Sequence, residues 1–188
     1  MGLFIFCSIF ILLIVWCIAI RNNIVRYFNA TRRSWSEVAN YELNKIKILD
    51  ALEPVLERYT HFEKGTLEKV TELRQNIMNL SLTNADVNQL QRIEQLNQEL
   101  IKSLNVVVEN YPELKADTLY AQMMDEISTQ NTHVRAAISI FNRNVELFNN
   151  QIQVFPNNLI NTITLSKKAI RPFRDPITTQ NFSYKPNF

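Results

Sequence analysis

Between Lys115 and Phe155 apolar residues recur on a seven-residue period, and few folds satisfy such a pattern. Val134, Phe141, Phe148 and Phe155 form one track, and Ile138, Val145 and Ile152 form a second. Alternating steps of three and four put both tracks on one face of a single long α-helix, the seam by which helices pack in a bundle or coiled coil. About 40 residues of helix extend roughly 60 Å, until Pro156 stops or sharply bends them. The chain has only two glycines, Gly2 and Gly65, in 188 residues. It therefore lacks the positive-φ positions that tight hairpins and phosphate-cradling loops require, which argues against all-β and dinucleotide-binding folds. An all-α fold is predicted.

Leu3 to Ile20 is an apolar run broken only by Ser8. As a helix it rises roughly 27 Å, against about 30 Å for a bilayer's hydrocarbon core. A cleaved signal peptide is the competing reading, but no basic residue precedes the run and no small-x-small site follows it. An uncleaved single-pass anchor over residues 1–23 is the better expectation, in contact with membrane lipids through residues 3–20, with Trp16 suited to the interfacial aromatic belt. Arg21, Arg26, Arg32 and Arg33 follow, with no acidic residue before Glu37. By the positive-inside rule they favour a cytoplasmic C-terminal body and an outside N-terminus, N-out/C-in. The same arginines suit anionic headgroups, or simply mark the end of the span. Both cysteines, Cys7 and Cys17, lie inside the apolar run, so neither can staple the rest of the chain.

Beyond the anchor, residues 24–170 are expected to form an elongated antiparallel up-and-down bundle of three long helices and a short fourth. From Ile24 to about Leu80, Phe28, Trp35, Val38, Ile46, Leu49, Leu52, Leu56, Val70, Leu73 and Ile77 step mostly by three or four. One helix continuous with the span is predicted, weakened at Pro54, which should kink it, and at Gly65. Thr83 or Asn84 is expected to cap a second helix carrying Leu90, Ile93, Leu96, Leu100, Leu104 and Val107. Tyr111-Pro112 then forms a rigid corner, because the residue before proline is pushed out of the α region. After Pro156, Leu159, Ile160, Ile163 and Leu165 are expected to close the bundle, and residues 171–188 to be extended or disordered unless their aromatics dock on the bundle or on a partner.

Candidate chemistry is sparse. Glu57 and His61 share a helix face, but a bundle di-metal site needs several inward glutamates and two Glu-x-x-His pairs. A surface ion pair is the simpler account, and His133 is expected at the rim. No phosphate-loop, nucleophile-elbow or zinc-protease run occurs, so neither catalytic residues nor a cofactor are expected. The net charge of +2 gives no reason to expect nucleic acid. Asn142 and Asn149, beside Phe141 and Phe148, are of more interest, since amides in a helical seam must be hydrogen-bonded and thereby fix register.

Several segments together resemble the LemA family of bacterial membrane-anchored helical proteins. They are Tyr-Phe-Asn at 27–29, Ser-Trp-Ser at 34–36, Leu-Glu-Lys-Val-Thr-Glu-Leu-Arg at 67–74, and Glu-Asn-Tyr-Pro-Glu-Leu-Lys-Ala at 109–116. Phe141-Asn142, Phe148-Asn149 and Phe155-Pro156 are similar to that family's repeated aromatic-Asn pattern. The chain departs from the family at Ile46 to Leu52, at His61-Phe62-Glu63 and at Ile138. The resemblance implies a four-helix bundle behind one membrane helix in a bacterial cell membrane, and no particular reaction. The expected role is an interaction or scaffold module with a protein partner. An accessory subunit of a membrane protease or transporter, or a bundle binding a small ligand or metal, are the alternatives. The seam can be satisfied within one chain or between copies, so homo-oligomerisation stays open.

Overall fold

The computed structural model describes residues 1–59 and 64–175. Every regular element among the described residues is helical: α1 (Gly2–Tyr59), α2 (Lys64–Met78), α3 (Val87–Asn110), α4 (Pro112–Ala116), α5 (Thr118–Gln153) and α6 (Asn157–Thr164). The apolar run and the start of the first body helix are thus one element, but the single helix expected from Ile24 to about Leu80 is two, α1 ending at Tyr59 and α2 starting at Lys64, with Gly65, a poor helix former, in the first turn of α2. Helix α1 continues through Pro54; the missing backbone donor costs about 3 kcal/mol, offset by burial of Leu52, Val55 and Leu56 around it. His61 and Phe62-Glu63 lie outside the described residues, as does the tail from 176 to 188.

The described chain divides into two units. The first comprises Met1–Ser34 and Ile140–Pro172; the second comprises Trp35–Ser139 and the segment that begins at Phe173.

In the second unit, α2 and α3 pair through Glu72 with Arg92 at 2.7 Å, Asn76 with Gln89 at 3.0 Å and Thr66 with Ser103 at 2.7 Å. Positions fall on one helix as they rise on the other, which is antiparallel packing. Arg74 of α2 bonds Asp50 at 2.6 Å and Glu53 at 3.0 Å on α1. Along α1 and α5, Tyr41 stacks on His133 at 5.2 Å, Lys45 bonds Asn131 at 2.9 Å and Arg58 meets Asp117 at 3.6 Å, again antiparallel. Up-and-down order therefore holds within this unit. Its core is supplied by the apolar stripe of each helix, including Leu49, Leu73, Ile93 and Val134. The third expected helix is divided: Asp117 separates α4 from α5 because its carboxylate accepts the N–H groups of Leu119 at 2.8 Å and Tyr120 at 3.2 Å. Such a side chain satisfies donors that a helix start leaves unpaired. Asp86, not Thr83 or Asn84, caps α3, accepting from Gln89 N at 2.9 Å.

In the first unit, Ile24, Phe148 and Ile152 form a buried cluster, with Ile20, Tyr27, Phe28, Leu165 and Ile170 packed against it. Phe28 and Phe148 meet at 5.4 Å between ring centroids. The Thr31 hydroxyl lies 3.0 Å from the carbonyl oxygens of both Tyr27 and Asn144. The two tracks of α5 are buried as predicted from Val134 through Ile152, with one correction. Phe155 is 78% exposed. The helix ends at Gln153, because Pro156 disfavours helical backbone before it, so Phe155 leaves the phase of the seam.

Candidate functional site

The N-terminal run presents nearly every side chain outward: Phe4 is 81% exposed, Trp16 is 51%, and none of the span's apolar window is buried. By length and composition α1 is the one helix among the described residues able to cross a membrane. Arg21, Arg26, Arg32 and Arg33 are exposed beyond it.

Trp35 is fully buried, and its indole Nε1–H donates to Ser81 O at 2.7 Å. Beside it, Ser36 Oγ donates to Leu82 O at 2.7 Å, and Ser81 Oγ accepts from Asn84 N at 3.1 Å. The connection between α2 and α3 is thereby tied to α1 through its backbone. Tyr111 is half-buried, its N–H closing α3 on Val107 O at 2.8 Å. Pro112 opens α4, where its missing donor is not needed.

Of the two amides, Asn149 bonds outside the seam. Asn142 is half-buried on α5 beside the fully buried Phe141. Asn149 clamps the returning chain: Nδ2 donates to Ile170 O at 2.8 Å while Ile170 N donates to Oδ1 at 2.9 Å. Asn161 repeats the arrangement with Lys167, at 2.9 and 3.1 Å. Buried Asn161 turns that face of α6 inward, and Ser166, in the left-handed region at φ 49°, reverses the chain after it. The expected closing face is thus corrected: Leu159 and Ile163 are 53% and 81% exposed. Pro156 is half-buried and follows Phe155 through a cis peptide bond. Asn149→Ala is expected to cost about 2 kcal/mol by stranding both polar groups of Ile170. Hydrogen exchange should show faster exchange at Ile170 while the α2 and α3 amides keep their protection.

The site that the apolar pattern missed is ionic. Glu42 and Lys45 of α1 are 0% and 1% exposed and approach to 3.0 Å, and Lys45 Nζ also donates to Asn131 Oδ1 at 2.9 Å. Beyond this close approach of Lys45, the Glu42 carboxylate oxygens have no hydrogen-bond partner among the described residues. Burial pushes the Glu42 carboxyl up to about 7; Lys45 opposes the rise and Glu94 of α3 adds to it. One clue was available. Trp35, Val38, Glu42, Lys45, Leu49, Leu52 and Leu56 step by three and four, so the charged pair occupies seam positions. His133, expected at the rim, is exposed against Tyr41. No group of three His, Cys, Asp or Glu among the described residues is placed to hold a metal, and His61 lies outside them. Phe173 is buried and Arg174 O accepts from Gln91 at 2.8 Å, so the start of the tail is irregular chain docked on the second unit, the alternative its aromatics had offered.

A glycine-poor all-α body that continues from a helix long and apolar enough to cross a membrane defines a class of helical proteins with an N-terminal membrane-type segment. The family model for the LemA family matches residues 34–174. Protein LemA of Metamycoplasma hominis is 31% identical over 142 residues, or 74% of this chain and 63% of the relative. The chain belongs to the LemA family.

Proposed function

We propose that this chain is a single-pass protein of the bacterial cell membrane whose helical body, on the cytoplasmic side, serves as an interaction or scaffold module and has no catalytic chemistry of its own. The observation that carries the reading is the continuity of α1. One helix exposes nearly all of its apolar first part and then buries Ile24, Trp35, Val38 and Leu49 in helical packing. The internal polar groups also favour binding over catalysis. Trp35, Thr31, Lys45 and Asn149 are engaged in holding elements together.

Orientation is tested with Cys7 and Cys17 replaced by serine and a single cysteine introduced by Asn84→Cys, which lies in the exposed connection before α3. A membrane-impermeant thiol reagent should label it only after lysis. Labelling in intact cells, with any outer membrane permeabilised, reverses the topology and assigns the body an envelope role. Alkaline carbonate should leave the full chain in the membrane pellet and release a variant whose residues 3–20 are replaced by a polar sequence. Release of both would remove the anchor from the proposal.

A further inference from the structure

The first unit has an apolar corner that its own core leaves uncovered. Val154 and Phe155, at the end of α5, are 52% and 78% exposed, and Leu159 and Ile163, one turn apart on α6, are 53% and 81% exposed. Large apolar side chains grouped in this way mark an interaction surface. Its position relative to the span follows from contacts inside the unit. Asn144 meets Thr31, Phe148 meets Phe28, and Ile152 shares a cluster with Ile24 and Ile20. Running antiparallel to α1, α5 therefore delivers Phe155 and α6 to the level of Ile20, where the apolar run ends. Leu165 and Ile170, packed on the same cluster, carry the chain away again.

Charge points to the same occupant. The first unit holds eight basic side chains, Arg143, Lys167, Lys168 and Arg171 among them, against one acidic side chain, Glu146, although the whole chain carries only +2. Lys168 and Arg171 are exposed beside α6, and Lys167 lies over the Phe28 ring at 3.9 Å. A helix end with an exposed apolar face and a basic surround matches the composition of elements that lie in the membrane interface. Each basic residue near an anionic surface adds to the attraction.

We propose that the corner between α5 and α6 is a second membrane-contact element, which inserts Phe155, Leu159 and Ile163 among the headgroups of the bilayer that α1 crosses and seats the surrounding basic side chains on anionic phospholipid. The proposal rests on the reading of residues 3–20 as a span. The corner then holds the first unit against the membrane surface, so that two elements fix it there instead of one.

The test uses the full chain with Cys7→Ser and Cys17→Ser, reconstituted in vesicles of phosphatidylglycerol and phosphatidylcholine. Single environment-sensitive labels are attached through Ile11→Cys, Phe155→Cys, Ile163→Cys and, as an aqueous control, Asn105→Cys, all at exposed positions. Lipids brominated near the headgroup end of the acyl chain quench groups buried to a depth of about 5–10 Å. These shallow lipids should quench the labels at 155 and 163, lipids brominated near the end of the acyl chain should quench the mid-span label at 11, and neither should quench the control. Quenching at 11 alone overturns the corner and leaves the span intact. No quenching at any site overturns the span itself. Corner labels shielded from both lipid and aqueous quenchers, with disulfide cross-linking between copies, would assign the corner to a homo-oligomer and overturn the proposal. Phe155→Ser with Ile163→Ser supplies a second measurement. Both side chains are exposed, so the helical signal should persist, while protection of α6 from a soluble protease by the vesicles is lost.

Discussion

Trp35→Ala is expected to lower the stability of the second unit by about 3–5 kcal/mol, the range for emptying a large aromatic site in a packed core. The site is 0% exposed, so little water can enter to soften the loss. A polar cost is added, because Ser81 O gives up its indole donor and buried acceptors left unpaired cost about 1–3 kcal/mol. Trp35→Phe separates the two contributions: it keeps most of the apolar volume and loses the hydrogen bond, for an expected cost of about 1–2 kcal/mol. Urea unfolding in detergent, followed by far-UV circular dichroism, measures both. The alanine variant should also release the connection between α2 and α3, seen as faster exchange at Asn84 N, which Ser81 Oγ otherwise holds at 3.1 Å. An alanine variant within experimental error of the parent would mean that Trp35 is not the tie between α1 and that connection.

The buried ion pair gives the second large effect, and it depends on pH. Lys45→Met is expected to cost about 3–5 kcal/mol at mildly alkaline pH, the usual penalty for stranding the partner of a buried pair. Glu42 then has to be charged beside Glu94 with no cation in contact. In the parent protein, Glu42 is held at about 7 in the folded state against an ordinary value of 4.5. The folded state thus keeps a proton that the unfolded chain releases. The stability this contributes is complete below pH 4.5 and is lost as pH rises through about 7. Parent stability should fall across that window, and Glu42→Gln, which cannot titrate, should flatten it. The gap between Lys45→Met and the parent should narrow on the acid side, where Glu42 is neutral. A stability profile equally steep in the glutamine variant would place the titrating group elsewhere.

How much of this was legible in the sequence follows from what each signal encodes. Glycine scarcity and the period of three and four encode helix and its buried face. They placed α3 and α5 within a few residues and correctly put Phe141, Val145, Phe148 and Ile152 inside. The same period carried no warning that Phe155 leaves the seam, because a pattern of side chains does not say where the backbone stops being helical. Glu42 and Lys45 were hidden for the opposite reason. They keep the seam's phase, but a search for apolar residues passes over charge and settles on the half-buried Ile46 instead. Asn149 was singled out for a bond across the seam, whereas its partner is the backbone of Ile170, and irregular chain returning to a helix has no period to detect. The outward face of α6 was misassigned because Leu159 and Ile163 look like core on the page. Two hydrogen bonds from Asn161 decide the matter.

The first unit is discontinuous, and this sets an order of events during synthesis. Thr31 and its partner Asn144 are 113 positions apart, so the face of α1 that carries Ile20, Ile24 and Phe28 emerges from the ribosome long before α5 exists to cover it. At about 5–20 residues per second the interval is on the order of 10 s, far longer than helix formation or local collapse requires. In that interval α2 and α3 can pair from contacts close in sequence, whereas the cluster of Ile24, Phe148 and Ile152 must wait for nearly the last residues to be made. The nascent chain therefore carries an uncovered apolar stripe directly beside its apolar run, and on the proposed reading of that run as a span, its insertion has to accommodate the stripe as well.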